Sequence, residues 1–196
     1  MPLAYFITLR TYGTWLHGDE RGSVDATHNR YQTPLVAPDV KRHRLMQYHM
    51  RHEPYLLAAD SATLVEQTVT EVAAHRRWRL HIVKARTNHV HMVAGGPVTA
   101  ERMMNDFKAW ATRRLREHGY ARPDQPVWTE HGSTPHLFAD EQLHGAVAYV
   151  RNWQGGPLQK TWAEVQMGMK QAASASAPKR AASTNVAPRR RPQTPP

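Results

Sequence analysis

Residues 78–95 restrict the fold more than any other part of the chain. They form two apolar runs separated only by Thr87 and Asn88. The first run alternates Trp78, Leu80, Ile82 and Lys84 against Arg79, His81 and Val83, which predicts a strand with the first set on one face. The second, His89-Val90-His91-Met92-Val93-Ala94-Gly95, is closed by Gly96-Pro97 and predicts another strand. A two-residue connection leaves only an antiparallel hairpin. Alternate side chains of a strand share a face, so His89 and His91 point one way while Val90 and Met92 point the other. Their Cα atoms then lie roughly 6.6 Å apart. Two neutral imidazoles at that spacing can lean onto one cation. The plainer reading is two polar residues on the wet face of a half-buried sheet.

Around this hairpin the pattern gives mostly helices. Leu3-Ala4-Tyr5-Phe6-Ile7-Thr8-Leu9-Arg10 is aromatic and β-branched and predicts a first strand. A loop rich in glycine and polar residues follows from Tyr12 to Gly22, carrying Tyr12 and Trp15. Residues 23–54 are irregular and basic, with a short helix expected within Pro38–Met50. Asp60 or Ser61 is placed to cap a helix whose stripe is Val65, Val69, Val72 and Ala73. Thr99 is placed to cap another, with Met103, Phe107, Trp110, Ala111 and Leu115 at spacings of three and four and Gly119 as its stop. Pro126 to Phe138 predicts a strand, a turn and a second short strand. Asp140 then opens a last helix through Leu143, Ala146, Val147 and Val150, ending at Gly155-Gly156-Pro157. The expected class is α+β, a central antiparallel sheet with helices packed on one face. The divisions are one domain over residues 1–158, a short helical extension over 159–170, and a disordered basic tail over 171–196.

Charge narrows the partner. Lys and Arg number 26 against 16 Asp and Glu, a net charge of +10, which favours a polyanion because neutralising phosphates releases counterions. Lys179, Arg180, Arg189, Arg190 and Arg191 supply half of that excess from the tail, so the bias over the folded part is moderate. There is no cysteine, which excludes disulfides and thiolate metal sites and fits a reducing cytoplasm. Leu3–Leu9 lacks the basic flank and cleavage pattern of a signal peptide. No apolar run approaches the roughly 20 residues of a membrane span. The expected location is the cytoplasm, with no membrane partner.

On the last helix Tyr149 lies about 100° from the centre of the Leu143–Val147–Val150 stripe, at an edge where it can point along the sheet. The run Asn88-His89-Val90-His91-Met92-Val93, a long amphipathic helix after it, and Ala148-Tyr149-Val150 on a late helix together resemble the HUH-type single-tyrosine transposases. The likeness is nearest to the branch that includes the REP-associated tyrosine transposases and the IS200-like domain, and the Phe6-Ile7-Thr8 strand with the Gly13-Thr14-Trp15-Leu16 loop shares it. It covers about Leu3 to Leu158. The histidine pair alone is a weak motif; joined in order to the late tyrosine, after an intervening helix, it is a fairly strong one.

The resemblance implies a ferredoxin-like sheet and metal-assisted cleavage and rejoining of single-stranded DNA, with hairpin DNA as the substrate class. Tyr149 is then the nucleophile, and His89 and His91 hold Mg²⁺ or Mn²⁺. The family's third ligand, an amide about one turn after the tyrosine, falls where this chain has Trp153; Gln154 is the nearest candidate and Asn152 the alternative. Trp15, Trp128 and Tyr12 are candidates to stack on unpaired bases, and Arg10, Arg86, Lys108 and Arg113 to meet phosphates. Members of the family are monomers or homodimers, and the sequence leaves both open. Two other functions remain at this point: a non-catalytic hairpin-binding regulator, and an unrelated metal-dependent phosphoesterase.

Overall fold

The computed structural model describes residues 1–23 and 35–152, so the expected extension, the tail and Gln154 lie outside the described residues. Among the described residues four strands form one antiparallel sheet: β1 (Ala4–Arg10), β2 (Arg79–Arg86), β3 (His89–Gly95) and β4 (His136–Leu137), in the order β2-β3-β1-β4. The same residues include four helices: α1 (Val40–Tyr48), α2 (Ala59–His75), α3 (Ala100–Glu117) and α4 (Asp140–Asn152). The α+β class and the antiparallel sheet are as the patterning implied. No helix among the described residues is long and apolar enough to cross a membrane.

The pleat of β1 and β3 divides the molecule into two layers. Ile7, Leu9, Val90 and Met92 turn to one face and are sealed by α2 and α3 through Val65, Val69, Met103 and Phe107. Ala4, Phe6 and Val93 turn to the other face, where α4 covers them with Ala146, Tyr149 and Val150. Thus α2 and α3 share one face, while α4 lies on the face that carries His89 and His91. Tyr149 is 4% exposed, so it is part of this second core and not the boundary residue its helical angle suggested. The reason is that the buried stripe of α4 runs through Gly145, Ala146, Tyr149 and Val150, with Leu143 and Val147 at its margin.

Two local details differ from the alternation read along the sequence. A β-bulge at His81 shifts the register of β2, pairing Leu80 with Ala94 but Ile82 with Val93. One extra residue reverses the facing beyond it, so Ile82 joins the α4 layer while Val83 and Ala85 join the α2–α3 core. α2 begins at Ala59 after Ala58, with no side-chain cap, so its N-cap falls two residues ahead of Asp60 and three ahead of Ser61, the expected caps; the Ser61 hydroxyl donates instead to the Ala58 carbonyl. By contrast the Thr99 side chain accepts from the Arg102 amide as a cap. Gly119 ends α3 with φ +74°, a conformation glycine adopts without steric cost.

The segment before α4 is an interrupted edge strand. Thr11 pairs with Trp128, Thr8 with Ser133 and Tyr5 with His136, so two residues are gained between the first pairing and the others. The excess bows outward at Glu130–Gly132. Gly132 fits there because a Cβ would come within 2.7 Å of the Thr8 carbonyl oxygen.

Candidate functional site

The β1–β3 register sets His89 directly opposite Arg10 and His91 opposite Thr8. The two imidazoles stand with ring centroids 4.5 Å apart. His91 is stacked on Phe6 at 5.2 Å and meets the Tyr149 ring at 5.9 Å, edge to face. Phe6 also touches Tyr149, at 6.0 Å. A strand pair and a helix far apart in sequence therefore place a phenol beside a histidine pair within one chain.

Hydrogen bonds orient both imidazoles. His89 Nδ1 donates to Asn88 Oδ1 at 2.7 Å, and His91 Nδ1 shares a hydrogen bond with the Thr8 hydroxyl at 2.9 Å. With each Nδ1 engaged, Nε2 of each ring is the atom left for a ligand, the arrangement in which a second partner fixes the tautomer. Burial lowers the pKa of His89 to about 4, helped by the positive charges of Arg10 and Arg86. His91 is held well below its ordinary value by burial first, then by His89, Arg10 and Arg86. Both rings are therefore neutral at physiological pH, with nitrogen lone pairs to offer.

Arg10 brings a positive charge to the site. Its guanidinium lies 3.5 Å from the centre of the Trp15 ring. Burial, and then repulsion from Arg21, pull its pKa down to about 9, while Asp19 and the Tyr149 oxygen act in the opposite direction. No carboxylate among the described residues bonds it. A desolvated guanidinium in that position gains most from a phosphate. Arg86, opposite His89 at the end of β2, adds a second positive charge. Arg21 is held by Asp19, with Nε to Oδ1 at 2.6 Å, and it also approaches the Trp15 ring. The Trp15 indole N–H donates to the Gly22 carbonyl, so the side chain is anchored in its loop as a platform for Arg10.

The other expected DNA contacts lie elsewhere. Lys108, Arg113 and Trp128 belong to the α3 side of the sheet, opposite the histidine pair. Lys108 is buried, and its ammonium donates to the carbonyls of Thr129, Glu130 and His131 at 2.9, 2.9 and 3.1 Å. Its three protons are committed to the bowed edge segment, which leaves none for a phosphate. Trp128 donates to the Lys108 carbonyl and packs on the α2–α3 core. Tyr12 packs there too, and Arg113 lies over Trp110 on the outer face of α3. Lys108→Met is expected to destabilise the fold by about 2 kcal/mol. Three charge-assisted bonds are lost, but the exposed carbonyls of Glu130 and His131 can turn to water. Urea unfolding measures the change; an unaltered midpoint would show that the lysine does not brace the segment.

The donor set matches part of a divalent coordination shell. His89 and His91 supply two neutral nitrogen ligands on one face. No group of three His, Cys, Asp or Glu side chains able to hold a metal occurs among the described residues. The remaining positions are thus left to an amide, substrate oxygens or water, oxygen donors of the kind that Mn²⁺ and Mg²⁺ take. Asn152 is the last described residue of α4 and is exposed, and Gln154 lies outside the described residues. Thr8 and Phe6 complete the site; the sequence marked them only as part of a strand that shares the resemblance, not as site residues. Alternation within β1 puts them on one face with Arg10, but only the pairing with β3 shows that this is the histidine face. No protein-family profile matches the chain, and no curated protein matches it in sequence.

Proposed function

We propose that this protein cleaves and rejoins single-stranded DNA by transesterification, with Tyr149 as the nucleophile and a divalent cation held by His89 and His91. The observation that carries the proposal is the convergence, in one chain, of the Tyr149 phenol, two neutral imidazoles and the half-buried Arg10 guanidinium. It is the arrangement expected from the resemblance to HUH-type single-tyrosine transposases. The phenol oxygen forms a bond to phosphorus while the bond from phosphorus to the 3′-oxygen breaks. The phenol's proton passes to the departing oxygen through solvent. The products are a 5′-phosphotyrosine and a free 3′-hydroxyl, and attack by another 3′-hydroxyl reverses the step without an energy-rich cofactor. Mg²⁺ or Mn²⁺, when bound, neutralises charge on the non-bridging phosphate oxygens. Arg10 and Arg86 bind the same phosphate and its neighbour, while Phe6 and Thr8 keep the His91 ring from turning.

The test is incubation of the protein with single-stranded and hairpin oligonucleotides in Mn²⁺. The expected result is a protein–DNA adduct that survives denaturation, with the modified peptide mapping to Tyr149. Cleaved DNA with no adduct would point to a hydrolytic phosphoesterase. Tight binding with neither product would point to a recognition protein.

A further inference from the structure

α1 is a helix with no apparent reason to be ordered by its own packing: none of its residues is buried. It is held at its start, where the Asp39 side chain accepts from the Lys41 and Arg42 amides and the Asp39 amide donates to the Gly18 carbonyl. Lys41, Arg44, Leu45 and Tyr48 recur at spacings of three and four and form one outward stripe. Tyr48 is 85% exposed and Leu45 51%. From Val40 to His52 there are four Lys and Arg residues and no Asp or Glu. Among the described residues no carboxylate pairs with Lys41, Arg42, Arg44 or Arg51. The opposite side of α1 meets a cleft instead of the core. This cleft, about 450 Å³, lies between α1 and the loop that follows β1, and His43, Gln47, Arg51, His52, Glu53 and Arg122 line it.

We propose that this cleft is a second nucleic-acid site, which takes one nucleotide of an unpaired strand while the outer stripe of α1 carries the neighbouring phosphates. The volume falls within the range of small-ligand pockets. Arg51 and Arg122 supply charge for a phosphate. Gln47 offers both a donor and an acceptor to a base edge, and Glu53 accepts from an exocyclic amine. An exposed tyrosine beside cations is the pattern that stacks on a base while its neighbours hold the backbone. The loop joins the two places: Trp15 stacks under Arg10 at the histidine site, while Thr14 and Leu16 line the cleft. A strand leaving the histidine site can follow the loop into the cleft. The inference rests on the transesterase reading only for the kind of ligand, not for the chemistry.

The experiment uses the full chain and two probes, thymidine 5′-monophosphate followed by NMR and a fluorescent single-stranded oligonucleotide followed by anisotropy. The expected result is that the mononucleotide shifts the Gln47 side-chain amide and the His43 and His52 ring signals. Oligonucleotide affinity should fall at least fivefold in Arg51→Gln/Arg122→Gln and in Gln47→Trp, which fills the cleft, and in Lys41→Gln/Arg44→Gln/Tyr48→Ala. Absence of the mononucleotide shifts, or unchanged affinity in all three variants, would overturn the proposal. The wild-type NMR arm decides the matter even if a variant misfolds. The two proposals fail separately. Binding at the cleft without any adduct at Tyr149 removes only the transesterase, and adduct formation with no response at the cleft removes only this site.

Discussion

Tyr149→Phe is expected to lower DNA cleavage at least about 10³-fold while leaving oligonucleotide affinity within about twofold. A phenylalanine has no oxygen with which to bond phosphorus, so the covalent route is lost and not merely slowed; the residual rate is whatever water achieves in the same pocket. A loss of 10³ corresponds to about 4 kcal/mol of barrier. The variant is well chosen because the ring remains. Tyr149 is buried between α4 and the sheet, and its edge contacts with Phe6 and His91 are made by ring atoms that phenylalanine retains. Thermal melting should therefore move by only a few degrees, in keeping with loss of a single hydroxyl at about 1 kcal/mol. Rates measured in Mn²⁺ on one labelled strand, alongside anisotropy on the same strand, separate chemistry from binding. Wild-type cleavage by Tyr149→Phe would mean that another group or water attacks, and the transesterase reading would fail. Equal loss of cleavage and affinity would mean that the hydroxyl serves in binding, with the nucleophile elsewhere.

The sequence carried the elements of this fold better than their facing. The hairpin was legible because two residues between alternating runs leave no other geometry, and α3 because its stripe is wide and both its ends are marked by Thr99 and Gly119. The histidine face was legible for the same reason as the hairpin. What could not be read was which helix lies over that face. That depends on the long-range pairing of β1 with β3 and on α4 crossing to the side opposite α2 and α3, and no local pattern encodes either. Ile82 was misplaced because a bulge has no dependable signature in a single strand. Lys108 illustrates a different limit. At the edge of an apolar stripe, a lysine that reaches three carbonyls some twenty residues downstream looks like a surface cation until the loop is seen. Arg10 went the other way. It was one of several basic residues, and only its position opposite His89 sets it apart.

Acidification is expected to destabilise the metal-free protein by about 3 kcal/mol or more between pH 6.5 and 4, through the histidine pair. The folded chain holds His89 near a pKa of about 4, whereas the unfolded chain titrates it near the ordinary 6.5. Across that window the unfolded state binds more protons, so unfolding becomes easier as pH falls; the stability is complete above about 6.5 and is lost progressively toward 4. For His89 alone the integrated effect is about 3 kcal/mol. His91 adds to it in the same direction, because its pKa is lowered by burial and by the same neighbours. Urea denaturation at intervals from pH 7.5 to 4.5, with chelator present, measures the slope. In His89→Gln/His91→Gln the slope should flatten by up to about 1.4 kcal/mol per pH unit for each proton removed. An identical slope in the double variant would show that the rings are not neutral in the fold, and the case for their lone pairs as ligands would go with it. With Mn²⁺ added in place of chelator, the wild type should gain stability most at pH 7.5 and least at pH 4.5, because protons and the cation compete for Nε2 of the same two rings. The double variant should show no such gain at any pH. That contrast distinguishes a pair that is neutral merely because it is buried from a pair that is neutral and open to a cation.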